Sequence, residues 1–563
     1  MPADVYTTFS GILYFCNYPS QKTFTLNLLK SQISPKTEYF FLFLSLIFLA
    51  LNSNYTFNIY DEGVAVTGAM RILHGEIPYR DFWTMYAPGQ YYFLAVLFKI
   101  FGQSLLIERI FSVLILWGIA VISWKIAKIF LSKNAALAIL LLETLWISSY
   151  RFYGSPLATA LLLAMMAVYY TILFLKTHNV KYIFLAGIFA GITMIFRHDL
   201  GAYIIIALSV VISAHYFHRF KSDVFKEVFK SFLLFLLGIF IITIPVAAYF
   251  LSRIPLKTLT DQLITFPATT FADYRALPFP SIFTLFKSHS VKEIVKTSIE
   301  LCMFYLPITA LFIMLVMFLK RIFRKNPDIV SPRFSEITVV WAVSVIFMMQ
   351  VSVRADGSHL LAPMVPVIII CVYLLQNRNF LLRFKSPIFI FILLIGFGAF
   401  SGAIFSKAMV LKKQFTEEKF VVKNEKAVGI SGDGFLKEYD NVLRFLKENT
   451  VENEKVFVGN MRHDKLVNND AMLYFLSDRL PAIRYHELHP GAATSENVQG
   501  EIISDLLKNN IKTVVLREEI LTVIEPNKSS VSSSVFLLDN FFKNNFSEVA
   551  KFGDYTVLKR VEH

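Results

Sequence analysis

Apolar residues come in long blocks up to about residue 405 and in short alternating runs after it. Each block of about 15–23 residues can carry a helix across, or nearly across, a hydrocarbon core of roughly 30 Å. The spans expected are 39–57, 106–124, 135–150, 155–175, 182–196, 201–217, 231–251, 297–319, 336–352, 359–375 and 388–405, about eleven in all. Two segments between them, 58–105 and 252–296, are too long for simple connections, and loops of that length usually carry function. Beyond a linker at 406–432, amphipathic periods predict helices at 439–449, 469–478, 495–510 and 536–545. Strand patterns stand at 455–459 and 513–516, with a hairpin at 548–559 turning on Gly553-Asp554. The fold class expected is an α-helical polytopic membrane protein, residues 39–405, with a C-terminal extracytoplasmic α/β domain over 433–563.

Composition agrees with that class: 55% of the 563 residues are hydrophobic and only 17% charged. Charge then orients the spans. Placing residues 1–38 in the cytoplasm as an N-terminal extension puts 20 of the 33 Lys and Arg before residue 406 on the inner side, in short loops such as 320–333 and 219–230. Both long loops and the C-terminal region then face outward, across a bacterial-type plasma membrane. The formal charge of +14 follows from this orientation, and no basic cluster with interleaved aromatics suggests nucleic acid. Cys16, Cys302 and Cys371 have no metal or redox spacing, and the exported region must fold without disulfides.

The first long loop concentrates the chemistry. It reads Tyr60-Asp61-Glu62-Gly63, then Gly75-Glu76-Ile77-Pro78-Tyr79-Arg80-Asp81-Phe82, then Tyr86-Ala87-Pro88-Gly89-Gln90-Tyr91-Tyr92. Asp61 and Glu62 are the candidate catalytic carboxylates. Neighbours on a helix point about 100° apart, so only one of them can address a reacting atom. Asp61 can instead cap the helix that follows it. Residues 89–101 are apolar enough for an interfacial or re-entrant helix, which returns Arg109 to the outer surface. Two further polar clusters fall at outer span ends, Arg197-His198-Asp199 and Arg354-Ala355-Asp356-Gly357-Ser358-His359. Charges held so close to hydrocarbon usually serve a pathway or an anionic ligand.

The first-loop pattern, with Phe101-Gly102-Gln103-Ser104 and Arg109, resembles the GT-C membrane glycosyltransferases. It is nearest to bacterial enzymes akin to protein O-mannosyltransferases, the lipid A aminoarabinose transferases and the lipopolysaccharide-core transferases of rhizobia. The resemblance covers most of the chain. It implies a hexosyl- or pentosyltransferase with a polyprenyl-phosphate-linked sugar donor, inversion at the sugar and Asp61 as base. The chain departs from the pattern at Tyr86-Ala87-Pro88-Gly89, where relatives carry a basic residue before paired prolines. That departure leaves the donor-phosphate ligand open.

Chemistry points the same way. A polyprenyl phosphate is a good leaving group, so transfer needs a base for the acceptor hydroxyl and cations for the departing phosphate. Arg197, Arg354 and His359, with Arg80, are the candidates for the phosphate. Asp81, Tyr86 and Tyr91 are the candidates for lining the sugar or lipid entry. The acceptor is an extracytoplasmic lipid, glycan or protein, and membrane lipids are the other partners. No cofactor is called for, and a divalent metal is left open. The alternatives are a glycan polymerase or ligase using a diphosphate-linked carrier, or a non-catalytic glycan-binding or transport protein. A transporter would carry charges near mid-membrane and broken spans in two matching halves.

Overall fold

The computed structural model describes residues 34–149, 153–217, 224–287, 290–323, 332–376, 404–416, 420–452, 454–518 and 525–561. Six of the described helices are long and apolar enough to cross a membrane: Leu105–Phe130, Pro156–Thr177, His198–His215, Lys226–Leu251, Val291–Lys320 and Phe334–Val353. Gly89–Phe101, Val180–Phe196 and Leu361–Gln376 are apolar but shorter. Pro35–Ala50 and Lys133–Ser148, 16 residues each, also lie on expected spans. Of the last expected span, residues 388–403 lie outside the described residues.

The first helix differs from the expected 39–57. It starts at Pro35, because the Ser34 hydroxyl accepts from the Thr37 N–H at 3.2 Å and proline suits the opening turn. It stops at Ala50, just before Asn52 takes a left-handed φ of 65°. Elsewhere, small residues let helices meet closely. A Cβ at Gly187 would stand 2.1 Å from the Phe235 carbonyl oxygen, and one at Gly238 would stand 2.4 Å from that of Phe184. Close backbone approach of this kind holds membrane helices together where lipid removes the hydrophobic drive.

Past the bundle, the stretch read as a linker holds a helix at 404–416 and two short strands, β1 (Phe420–Val421) and β2 (Ser431–Gly432). Its far end is tied to the segment just before the first loop. The Thr56 N–H donates to the Ser431 carbonyl at 2.7 Å, and the Ser431 N–H donates to that of Asn54 at 3.0 Å. Next come β3 (Phe457–Asn460), β4 (Thr513–Arg517), β5 (Phe546–Phe552) and β6 (Tyr555–Arg560), in one sheet of order β3-β4-β6-β5. The β3–β4 pair is parallel, with Val458 opposite Val515, and the other two pairs are antiparallel. Helices Gly434–Asn449, Met472–Ser477, Glu496–Lys508 and Leu537–Asn545 accompany the sheet. A buried carboxylate pins this region from within: Asp470 accepts from Tyr439 Oη at 3.1 Å and Tyr555 Oη at 2.7 Å. Burial lifts its pKa to about 6 against those bonds.

The C-terminal region shares a hydrophobic core with the first loop, where Val66, Met70, Leu94 and Phe98 meet Met472, Leu473 and Phe475. Gly63 makes the contact possible: a Cβ there would lie 2.4 Å from the Met472 backbone nitrogen. Backbone bonds then lock the pair, Met472 N–H to the Ile59 carbonyl at 3.0 Å and Thr67 Oγ1 to the Ala471 carbonyl at 2.8 Å. Buried Arg71 adds a staple, donating to the Ile483 and Asp81 carbonyls at 3.0 Å each while paired with Glu76.

Candidate active site

The helix Asp61–Leu73 opens at the carboxylate pair, and its free N–H groups explain the local order. Asn58 is the capping side chain: its Oδ1 accepts from the N–H groups of Tyr60 at 2.9 Å and Asp61 at 3.0 Å. The cap is therefore not Asp61, contrary to the capping role open to it in the sequence. Its carboxylate accepts from Asn58 Nδ2 at 3.0 Å.

The neighbouring Glu62 is 1% exposed and gripped from two sides. Arg109 donates Nε to Oε1 at 2.8 Å and Nη2 to Oε2 at 2.9 Å, and the Asn58 N–H adds a bond at 3.0 Å. The Arg109 guanidinium also donates to the Ser53 carbonyl and lies under the Tyr153 ring, 4.9 Å from its centre. The roughly 100° between successive side chains sends Asp61 to an accessible cleft and Glu62 into this buried pair. A cavity of about 290 Å³ lies alongside, lined by Thr56, Phe57, Asn58, Glu62, Arg109 and Tyr153.

Around Asp61 protein surrounds an accessible carboxylate, as at the floor of an open cleft. Desolvation pushes its pKa up, while Asn58, Arg275 and Arg354 pull it down and Asp356 adds to the rise. Arg275 ends the short helix Ala272–Arg275. Its buried Nη1 makes no hydrogen bond among the described residues and stands 3.6 Å from a Glu525 carboxylate oxygen. Arg354 is more committed. It donates to Asp356 at 2.7 Å, to the Arg275 carbonyl at 2.7 Å and, through two nitrogens, to Glu525 at 2.6 and 3.0 Å. His359 is held to Asp356 at 2.8 Å.

The third expected cation, Arg197, is chelated by Asp199 at 3.0–3.2 Å, with Gln350 bracing that carboxylate at 2.8 Å. Its charge reaches Tyr86, whose hydroxyl also senses Asp61, Arg275 and the C-terminal residue Glu487; burial raises the Tyr86 pKa. Tyr91 lies deeper, 3% exposed, with its hydroxyl on Thr84 Oγ1 at 2.9 Å and its ring packed on Gly68.

Arg80 and Asp81 turn to one another instead. Arg80 donates to Asp81 at 2.7 and 2.9 Å, and its further neighbours are Tyr92 and Tyr249. Asp81 also accepts from the Ile77 N–H at 2.7 Å, as a turn residue does.

The residues not anticipated are Asn58, Arg275 and Glu487. Arg275 sits in the second long loop, whose π-helical turns at Asp261–Thr265 and Pro267–Phe271 carry Gln262 onto the first loop. Gln262 accepts from the Thr84 N–H at 3.1 Å and donates to the Tyr79 carbonyl at 3.2 Å. Glu487 belongs to His486-Glu487-Leu488-His489, a dense titratable run in the C-terminal region.

Residues 86–249 match a family model described as dolichyl-phosphate-mannose-protein mannosyltransferase. The fold is similar to that of ArnT from Cupriavidus metallidurans. In the apo state the TM-score is 0.54 at 13% identity, over 94% of this chain and 99% of that one. The same protein bound to undecaprenyl phosphate gives 0.53 over the same shares, also at 13% identity. An Archaeoglobus fulgidus oligosaccharyltransferase tethered to an acceptor peptide gives 0.44 at 12% identity, over 86% of this chain and 69% of that one. No curated protein sequence matches the chain. The family likeness thus rests on residues 86–249, and the match to ArnT shows that the overall fold is shared.

Proposed function

We propose that this protein transfers a sugar from a polyprenyl-phosphate donor to a hydroxyl of an extracytoplasmic acceptor, with inversion and with Asp61 as general base. The observation that carries the reading is the division of labour at the carboxylate pair. Glu62 is neutralised inside the protein by Arg109, and Asp61 is left accessible beside Arg275. In the proposed step Asp61 takes the acceptor proton as the hydroxyl oxygen attacks the anomeric carbon. The bond to the phosphate oxygen breaks on the opposite face, and the lipid phosphate departs with the electron pair. Its growing charge needs cations in a partly dry site. Arg275, with an unsatisfied Nη1, suits that task best, and Arg354 completes the electropositive wall while anchored by Glu525 and Asp356. Tyr86 and Arg197 flank the same cleft.

Undecaprenyl phosphate is the probe that tests the phosphate ligands without knowledge of the sugar. Losing one charge-assisted bond costs about 1.5–3 kcal/mol, so Arg275→Ala is expected to weaken binding of undecaprenyl phosphate in nanodiscs by roughly 10- to 150-fold. Lysine should restore only part, since it lacks the planar fork. Arg354→Ala is expected to weaken binding and also to lower thermal stability, because Glu525 and Asp356 lose their partner. Unchanged affinity in Arg275→Ala would place the phosphate elsewhere.

The same reading sets the site on the outer face, with the N-terminus and the short basic loops inside. The Lys and Arg bias supports this orientation. Cysteines introduced at Gly75, Ser281 and Ser495 are expected to react with an impermeant thiol reagent in intact spheroplasts, and one at Asn326 is expected to stay silent. Labelling at Asn326 alone would invert the orientation and move the site to the cytoplasm.

A further inference from the structure

Glu487 comes to the Asp61 cleft from the far end of the chain and is 1% exposed. One oxygen accepts from Tyr60 Oη at 3.0 Å. The other, Oε2, is buried and has no hydrogen-bond partner among the described residues. A buried carboxylate oxygen without a donor is costly unless something reaches it or it carries a proton. Tyr60 and Asp61 face Glu487 from the start of the Asp61–Leu73 helix, Tyr86 and Tyr91 from the first loop and Arg275 from the second. His489, two residues on, is buried with Nδ1 on the Pro490 carbonyl at 2.8 Å and shares the influence of Arg275. Arg275, which also stands 3.6 Å from Glu525, is thus a cation shared by Asp61 and Glu487, the latter in a dry pocket.

We propose that Glu487 is a second acidic residue of the site, one that holds a proton and presents its free oxygen as a hydrogen-bond donor to the hydroxyl-bearing substrate beside Asp61. The inference rests on the transferase reading given above. Two like charges in one low-dielectric cleft cannot both be kept cheaply, and burial decides which is neutral. Asp61 lies open to water and keeps its charge, whereas Glu487 is enclosed. In support, desolvation and then Asp61 itself lift Glu487 to a pKa of about 7, against the bond from Tyr60 and the charge of Arg275. The pair then has opposite duties: one carboxylate accepts the acceptor proton, and the other positions the acceptor or sugar by donating. The C-terminal region completes the site by this contact.

Two measurements on the full-length protein test this. The first is infrared difference spectroscopy between wild type and Glu487→Gln. At pH 6 a buried protonated carboxyl band should be lost in the variant, and in wild type that band should fade as pH rises through about 7. The second is release of undecaprenyl phosphate from a panel of undecaprenyl-phosphate-linked hexoses and pentoses, with a cell-envelope extract supplying the hydroxyl acceptor that takes the sugar. Wild-type kcat/KM should fall about tenfold per pH unit above the Glu487 pKa, because the donor is lost and a second negative charge appears. Glu487→Gln keeps a donor and no charge. Its kcat/KM should stay within about threefold of wild type at pH 6 and remain level above pH 7. Glu487→Ala, with an unchanged melting midpoint, should lose about tenfold. A Glu487→Gln enzyme that keeps the wild-type alkaline fall, or a carboxyl ionised at pH 6, would overturn the role of Glu487 alone. Turnover in Asp61→Asn would overturn the reading beneath it.

Discussion

Asp61→Asn is expected to insert and fold like wild type and to lower transfer by at least about 10²-fold, the lower bound for losing a general base. Folding should survive because nothing structural depends on the carboxylate. Asn58 caps the helix, and asparagine at 61 still accepts from Asn58 Nδ2 through its own side-chain oxygen. Catalysis should not survive, since an amide has no lone pair basic enough to take a hydroxyl proton. The pH dependence has a definite sign. A base must be ionised, so wild-type kcat/KM should rise with pH through the Asp61 pKa. That limb should lie above the usual aspartate range, since desolvation raises the pKa against the pull of Asn58, Arg275 and Arg354. Release of undecaprenyl phosphate by purified Asp61→Asn protein at a near-normal rate would remove Asp61 from the mechanism.

Much of this architecture was legible because membrane helices are written in uninterrupted apolar blocks, and no packing knowledge is needed to find them. Boundaries were less legible. The first helix ends at Ala50 because a polar Asn-Ser-Asn turn outcompetes the apolar residues beyond it. Within the site, Asp61 stood out because the first loop brings its chemistry together locally. Which of Asp61 and Glu62 faces the cleft was not readable, because the answer lies with Arg109, which reaches Glu62 from another helix. Arg275 and Glu487 escaped notice for a related reason. Each lies far along the chain, amid residues whose pattern fits turns or an ordinary soluble fold, and only the folded chain brings their charges within influence of Asp61. Arg354 and Arg197 are candidates by their place at span ends, and the sequence could not say that Glu525 and Asp199 already pair with them.

Breaking the Glu62–Arg109 pair is expected to damage the fold more than any other single change near the site. Both side chains are almost wholly buried, at 1% and 2% exposure, and they meet through two parallel bonds. Removing one partner strands the other charge in a dry place, which typically costs about 3–5 kcal/mol. Against a total stability of roughly 5–15 kcal/mol, that is enough to empty the folded state in a marginal protein. Arg109→Ala should be the worse variant, since it also releases the Ser53 carbonyl and the Tyr153 ring. Glu62→Gln should be milder because it still accepts from Arg109 and the Asn58 N–H, though without charge. The measurement is the fraction of monodisperse protein left after heating in detergent, with Asp61→Asn beside them as the folded reference. A double variant that replaces both partners with apolar residues separates the causes: its loss should be smaller than the sum of the two single losses, because no charge is left unpaired. If instead Glu62→Gln melts with wild type and yet fails to turn over a donor that wild type consumes, Glu62 is a chemical participant and the division of labour between the two carboxylates is reversed.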